Sequence, residues 1–138
     1  MRHRVTLTKL KRESAPRAAL VRSLARSLLL HEKIETTITK AKVVQPFVER
    51  LVTVGKRKDS QAQHLLYRTM HDHMIVDKLI TDYAERFATR EGGYTRLRRT
   101  GYRQGDGAPM AQVSFVVGPT GAKIAKKTKA KAAAKGKK

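Results

Sequence analysis

The strongest constraint on the fold is a run of apolar residues near the start of the chain. These residues recur at helical spacing, and they are Leu20, Val21, Leu24, Leu28 and Leu29. Such spacing places apolar side chains along one side of an α-helix. Ser14 can cap this helix and Pro16 suits its first turn. The pattern predicts a helix over residues 14–30 whose apolar side packs into a core.

Cations accompany this apolar stripe. Arg22 and Arg26 lie four residues apart, so they share one edge of the predicted helix. Residues 1–12 contain no acid and too few apolar groups to bury a face, which predicts a basic arm that orders on a polyanion such as RNA. An Arg- and Ser-rich, acid-poor start is also typical of organellar transit peptides, and this alternative for residues 1–30 stays open.

A strand and a second helix are predicted next. Lys33–Thr37 has the β-branched alternation of a short strand, and Thr37 or Thr39 can cap a helix that continues to about Lys56. The apolar stripe of that helix consists of Ile38, Ala41, Val44, Val48, Leu51 and Val52. Pro46 removes one backbone hydrogen bond inside the stripe, so we expect a kink there or a break into two pieces.

Two further helices follow. Gly55, ahead of three basic residues, is typical of a helix end. Asp59 or Ser60 can begin a third helix, and apolar spacing predicts a fourth that ends near Phe87. The chain from 14 to 87 is therefore predicted to be mainly helical.

The last part of the predicted domain is a pair of strands. Gly92-Gly93 predicts a turn into a strand over residues 94–100, and residues 111–117 are its predicted partner across a long glycine-rich loop. Together these elements predict an α+β fold, with a small three-stranded mixed sheet packed against three to four helices. We expect residues 1–12 to be a basic N-terminal arm, 13–117 a single globular RNA-binding domain, and 118–138 a disordered lysine-rich tail.

Charge indicates the class of partner. The 138 residues carry a formal net charge of +20, with 31 Lys and Arg against 11 Asp and Glu. Such an excess favours binding to a polyanion, and nucleic acid is the leading candidate. Residues 59–89 differ, because they hold five acids and three basic residues. We expect that part to face away from the polyanion.

The predicted strand over residues 94–100 carries the densest set of arginines. Alternation places Tyr94, Arg96 and Arg98 on one face, with Leu97 and Arg99 on the other. The planar guanidinium of arginine can fork onto phosphate oxygens or lie against a base. Tyr94 can stack on a base or, as the alternative, pack in the core. The cationic face predicts an RNA contact.

Other classes of function lack a matching pattern. His64, His71 and His73 are not spaced to share one helical face, and we expect no metal site. Neither a catalytic constellation nor a nucleotide-binding glycine motif is recognisable, so we expect no enzyme, cofactor or small-molecule substrate. The chain has no cysteine, and its apolar runs are too short for a membrane span.

Several short blocks resemble a known family. They are MRHR at residues 1–4, Lys9-Leu10, the helix over 19–29, HEKIETT at 31–37, KAK at 40–42, GGYTR at 92–96 and GDGAPM at 105–110. In this order, over about residues 1–117, the blocks resemble the bacterial large-subunit ribosomal protein seventeen family. The resemblance implies a non-catalytic α+β protein that binds large-subunit ribosomal RNA near the exit side of the peptide tunnel.

The resemblance also carries over individual RNA contacts. They are Arg2, His3, Arg4, Lys9, Arg17, Arg22, Lys40, Lys42, Arg96 and Arg103. Charge and position in the chain add Lys11, Arg12, Arg26, Tyr94, Arg98 and Arg99. The sequence departs from the family where Pro16 replaces a common histidine and Gln104 a common basic residue, so no contact is carried over to these two positions.

The sequence thus predicts a structural constituent of the large ribosomal subunit, with ribosomal RNA and neighbouring ribosomal proteins as partners. We expect it in the ribosomes of a bacterial cytoplasm, with an organelle matrix as an open alternative. The lysine- and alanine-rich end suggests a second hypothesis, a nucleoid-type DNA-binding protein. An enzyme is the most distant of the three.

Overall fold

The computed structural model describes residues 8–116. The helices and strands are α1 (Ser14–His31), β1 (Lys33–Thr37), α2 (Ile38–Gly55), α3 (Ser60–Met70), α4 (His73–Lys78), a π-helical segment (Leu79–Tyr83), α5 (Ala84–Arg86), β2 (Thr95–Tyr102) and β3 (Pro109–Phe115). The predicted α+β class, with three strands and helices packed on them, is confirmed. Most of the basic arm and the lysine-rich tail lie outside the described residues, and so do the predicted RNA contacts Arg2, His3 and Arg4.

The sheet is antiparallel throughout, which corrects the prediction of a mixed sheet. Its strand order is β1-β3-β2, and both outer strands pair antiparallel to β3. β1 and β2 therefore run in the same direction, but they never pair because β3 lies between them. This order depends on contacts distant in sequence, and strand patterns alone do not reveal it.

One hydrophobic core joins the helices to one face of the sheet. Its members include Val21, Leu28 and Leu29 of the first predicted stripe and all of the second except Ile38, and on β3 they are Ala111 and Val113. Leu24 and Ile38 are partly buried against the core, and Leu20 is not a member of it. Val44, Val48 and Val52 of α2 are fully buried. Full burial of such a side chain is worth about 1.5–3 kcal/mol, so the stripe is a principal source of stability.

α2 continues through Pro46 without the break that was one of the two expected outcomes. Pro46 itself is exposed, while Val44 and Val48 on either side of it are buried. Burial on both sides holds the helix together despite one missing hydrogen bond. The helix ends at Gly55, as predicted, but in a right-handed conformation at the following residue rather than a left-handed cap.

The helix starts differ in how they are capped. The Asp59 side chain accepts a hydrogen bond from the Ala62 N–H at 2.7 Å, so the predicted start of the third helix is confirmed. α1 and α2 have no side-chain cap: Glu13 rather than Ser14 occupies the cap position of α1, and Thr37 occupies that of α2. The first N–H groups of α2 are therefore not satisfied by a capping side chain.

The predicted fourth helix contains a π-helical segment between α4 and α5. At its two ends the Lys78 ammonium and the Tyr83 hydroxyl both donate hydrogen bonds to the Leu29 carbonyl, at 2.9 Å each. These bonds satisfy a carbonyl in the last turn of α1, which the helix leaves without a partner of its own. The segment thus fastens α1 to the second half of the helical layer.

β2 contains a β-bulge at Thr100. The pairing with β3 shifts between Arg99, opposite Ala111, and Gly101, opposite Met110. Gly101 has a φ of 139°, a conformation that favours glycine. A bulge of one residue reverses the alternation of faces beyond it. Residues after Thr100 therefore face the side opposite to the one that simple alternation predicts.

Candidate nucleic-acid interface

One cationic recess lies between the arm and the start of α2. This arm–helix cleft is lined by Thr8, Lys9, Leu10, Lys11, Arg12, Thr37, Thr39 and Lys40, and has a volume of about 630 Å³. A turn with left-handed backbone at Leu10 and Lys11, closed by the Arg12 N–H on the Lys9 carbonyl, brings the arm to the helix. Four of the eight lining residues are basic and none is acidic.

The N-terminus of α2 adds to the positive potential of the arm–helix cleft. The first turn of α2 contains no acid, and its cap residue Thr37 accepts no N–H with its side chain. A helix N-terminus carries a partial positive charge and exposes N–H donors, both of which favour phosphate oxygens. The lysines and the N-terminus of α2 therefore both favour binding of an anion.

A second cationic surface is the face of the sheet that points away from the helices, which we term the outer sheet face. In register across the strands, Lys33 lies opposite Ser114 and Ser114 opposite Arg96. Arg98 follows on the same face, about 6.6–6.8 Å from Arg96 along the strand. All three cations are exposed. The face also carries one acid, Glu35, which accepts a hydrogen bond from the Thr100 hydroxyl at 2.6 Å.

A third recess lies where the β2–β3 hairpin passes the start of α2. This hairpin-end pocket has a volume of about 380 Å³ and is lined by Ile38, Lys42, Arg99, Gly101, Tyr102, Pro109 and Met110. It brings together the predicted contacts Lys42 and Arg99. The ring of Tyr102 beside them is 80% exposed. Tyr102 is not among the contacts predicted from the sequence, although an aromatic residue next to an arginine-rich strand is a recognisable signal.

Tyr94 is the clearest correction among the predicted RNA contacts. Its side chain is 1% exposed, and its ring centroid lies 5.1 Å from that of Phe87 in the core. The Thr53 hydroxyl donates to its hydroxyl at 3.4 Å. A ring covered in this way has no face for a base, so the assignment of Tyr94 as a stacking residue is wrong and the packing alternative holds. Tyr94 precedes the strand, where strand alternation does not apply.

Three predicted contacts have partners inside the protein. The Arg26 Nε donates to Asp72 Oδ2 at 2.7 Å, and Arg17 donates to the Arg12 carbonyl at 3.2 Å. Arg103 forks onto the carboxylate of Asp106 with its Nε and one terminal nitrogen, at 2.9 and 2.5 Å. These bonds occupy donors that the sequence analysis assigned to RNA. Arg22 lies half-buried on α1, outside the three cationic surfaces.

The acids of residues 59–89 are all engaged within the protein. Asp59 and Asp72 cap α3 and α4, and Asp77 accepts from the Tyr67 hydroxyl. Asp82 pairs with Arg86 and Glu85 with Lys58. The acidic excess of this part therefore goes mainly into holding the helical layer together.

Neither a cluster of metal ligands nor a membrane-spanning helix is found in the part of the chain that the structure describes. Across residues 8–116, no group of three or more His, Asp or Glu side chains is arranged to hold a metal ion, and His64, His71 and His73 form none. In the same range no helix has the length and apolar character needed to cross a bilayer.

The fold and these three surfaces define a class: small, strongly basic α+β proteins whose cations gather around one strand–helix junction and the sheet beside it. A family model described as Ribosomal protein L17 matches residues 20–116. The chain belongs to the ribosomal protein L17 family, which confirms the resemblance in the sequence. Members of this family are non-catalytic structural proteins of the large ribosomal subunit.

Proposed function

We propose that this protein binds and holds large-subunit ribosomal RNA by electrostatic and shape-directed contacts, near the exit side of the peptide tunnel, and supports translation without catalysis. The observation that carries the proposal is the arm–helix cleft, where Lys9, Lys11, Arg12 and Lys40 surround a recess without an acid. Such a recess suits phosphates of a folded RNA. The family supports a ribosomal location, in a bacterial cytoplasm.

Each of the three cationic surfaces is proposed to contact RNA. The arm–helix cleft takes phosphates, with Arg2, His3 and Arg4 extending the contact from the first residues of the arm. Arg96 and Arg98 on the outer sheet face can each fork onto phosphate oxygens along one strand of RNA. The base edges of A-form RNA lie deep in a narrow major groove, so we expect recognition by shape rather than by a base code. Neighbouring ribosomal proteins are the other proposed partners.

The salt dependence of binding tests the electrostatic part of the proposal. About ten phosphate contacts predict that log affinity falls with log salt with a slope of magnitude about seven or more. The measurement is titration of large-subunit ribosomal RNA fragments with the purified chain at several salt concentrations. A slope of magnitude near one or two would contradict the proposal.

Charge-removing variants locate the RNA on the protein. Lys9→Ala with Lys40→Ala is expected to lower the magnitude of the slope by about 0.7 for each phosphate that the protein no longer neutralises. Arg68→Gln, on α3 and outside all three surfaces, removes the same kind of charge and serves as the matched control. Equal slopes for the two variants would place the RNA elsewhere on the protein.

Fractionation separates this proposal from the DNA-binding alternative. The protein is expected to sediment with large ribosomal subunits at moderate salt and to cross-link to RNA near the tunnel exit. A nucleoid-type protein would instead copurify with chromosomal DNA and be released by DNase.

A further inference from the structure

We propose that the hairpin-end pocket is a receptor for one unpaired nucleotide of RNA, with the base stacked on Tyr102 and its phosphates held by Lys42 and Arg99. The inference rests on the proposed RNA-binding function and extends it, since it adds a stacking site to contacts that are otherwise electrostatic. It assigns a specific partner group to Tyr102, which is 80% exposed.

The β-bulge at Thr100 is what places Tyr102 at this pocket. Tyr102 lies opposite Pro109, and Arg99 lies opposite Ala111. Pro109 and Ala111 are two apart on β3 and share one face, so Tyr102 and Arg99 share the helix side of the sheet. Without the bulge, alternation from Arg98 would carry Tyr102 to the outer sheet face. The extra residue turns the ring toward the start of α2.

The helices do not extend far enough to cover this end of the sheet. Ala111 is fully buried, whereas Tyr102 on the same face is 80% exposed. Three of the pocket's lining residues are apolar, namely Ile38, Pro109 and Met110. An exposed ring beside apolar lining residues offers a surface on which a flat base can stack.

The charges around the ring select an anionic occupant. Lys42 and Arg99 line the same pocket, both are exposed, and none of its seven lining residues is acidic. A nucleotide combines a flat base with a phosphate, which matches a ring flanked by cations. The volume of about 380 Å³ is near the lower end for ligand sites, so the pocket takes a single nucleotide and not a helix.

The hairpin next to Tyr102 is held in shape before any ligand binds. The Arg103 N–H donates to the Ala108 carbonyl at 2.9 Å, and the Gly107 N–H donates to the Arg103 carbonyl at 3.0 Å. The side chain of Arg103 pairs with Asp106 across the same loop. A preformed site loses less conformational freedom on binding, which favours affinity.

The base must be unpaired because a base inside a duplex has both faces stacked. Sequence-specific RNA contacts of this kind are made with loops, bulges and ends, whose bases can splay out onto an aromatic ring. The proposal therefore predicts protection of one nucleotide in a loop or bulge of large-subunit ribosomal RNA.

Chemical probing of an RNA fragment with the full chain tests this. Tyr102→Leu keeps an apolar side chain and removes the ring, whereas Tyr102→Phe keeps the ring. The wild type and Tyr102→Phe are expected to protect one unpaired base from base-specific reagents. Tyr102→Leu should leave that base reactive and weaken binding roughly 5- to 100-fold. The salt slope should stay unchanged because no charge is removed.

Matched variants separate stacking from other effects. Met74→Leu alters another exposed apolar side chain, 70% exposed on α4, and is expected to change neither protection nor affinity. Lys42→Ala and Arg99→Ala should each lower the magnitude of the salt slope by about 0.7 while removing backbone protection at the same nucleotide. Circular dichroism of every variant checks that the fold is intact.

Three outcomes would overturn the inference, and they differ in what else they affect. If Tyr102→Leu protects the same bases with wild-type affinity, the stacking site is wrong and the proposed RNA binding stands. If the variant keeps all RNA protection in the subunit but loses a cross-link to another ribosomal protein, Tyr102 is a protein contact. If the wild type protects no ribosomal RNA, the proposed function fails together with the inference.

Discussion

At the scale of single residues, the Asp106 carboxylate holds the side chain of Arg103, one of the predicted RNA contacts. Arg103 donates two hydrogen bonds to this carboxylate, and the Ala108 N–H donates a third at 3.3 Å. The hydrogen bond from Arg103 is the largest cause that lowers the pKa of Asp106, to about 2. The pair holds the hairpin loop, and it commits two of the five N–H donors of the Arg103 guanidinium to that loop.

The shape of the hairpin loop is expected to be independent of pH across the physiological range. The folded pKa of Asp106, about 2, is below the unfolded value of about 3.9. A depressed pKa contributes stability that is complete above the unfolded value and is lost as pH falls through about 2. NMR titration of the Asp106 carboxyl should show this midpoint, whereas a midpoint near 4 would mean that the pair does not form.

Gly55 is a second residue whose role depends on its surroundings. A Cβ at this position would lie 3.2 Å from the Leu79 carbonyl oxygen and 3.5 Å from its carbon. The neighbour is backbone, which cannot turn aside as a long side chain can. The close approach lets α2 pack against the π-helical segment.

Gly55→Ala is therefore expected to destabilise the fold by about 1–3 kcal/mol, because the two backbones must separate to admit the methyl group. Urea denaturation followed by circular dichroism measures the change. Gly92→Ala is the matched control, since a Cβ there meets nothing within 4 Å. A loss below about 0.5 kcal/mol for Gly55→Ala would show that the junction adapts.

At the scale of elements, the end of α1 is joined to the π-helical segment and α5 by a buried cation. The Arg86 side chain is 2% exposed and pairs with Glu32 at 3.0 Å and with Asp82 at 2.5 Å. Its guanidinium lies 4.7 Å from the ring centroid of Tyr83. Burial, with a smaller effect from Glu32, raises the pKa of the Tyr83 hydroxyl well above its ordinary value. That hydroxyl stays protonated as the donor to the Leu29 carbonyl.

Arg86→Met should cost about 3–5 kcal/mol of unfolding free energy, because it leaves two carboxylates without their shared cation. Urea denaturation with the same probe gives the value. Lys58→Met removes a cation from the exposed pair with Glu85, whose atoms are 3.8 Å apart, and should change stability by less than about 1 kcal/mol. Equal effects of the two variants would contradict the structural role of Arg86.

At the scale of the whole molecule, the charges divide by function. Most acids of residues 59–89 pair with cations or cap helices, and Asp77 accepts a hydrogen bond from the Tyr67 hydroxyl. The cations around β1, the start of α2 and the β2–β3 hairpin largely remain on the surface. Most acids of residues 59–89 thus hold the helical layer together, whereas the surface cations are the groups that we propose bind RNA.

The two ends of the chain are expected to contribute unequally to assembly. Residues 8–12 line the arm–helix cleft with three basic side chains, so deleting residues 1–12 removes one wall of the proposed RNA site. Deleting residues 119–138 leaves all three cationic surfaces intact. Incorporation of each truncated chain into large subunits, measured by sedimentation, should fall more for the first deletion. Equal incorporation would refute this order.

The candidate site was predictable where charge and chain position were enough. Lys9, Lys11, Arg12 and Lys40 were assigned from local sequence or from the family resemblance, and the structure brings them into one cleft. Contacts with partners distant in sequence were not predictable in this way. Arg26 meets Asp72 on another helix, and Tyr94 meets Phe87 in the core. The position of a charged or aromatic residue in the sequence does not reveal which distant side chain it will contact.

The sequence by itself determined the helices and their buried sides. Periodicity along a helix is local, and the stripe of α2 is continuous enough to keep its helix intact through Pro46. Only the tertiary structure decided the position of β3 between β1 and β2 and the bulge at Thr100. Both depend on hydrogen bonds between strands far apart in the chain. That pairing places Tyr102 on an uncovered part of the sheet, while packing buries Tyr94.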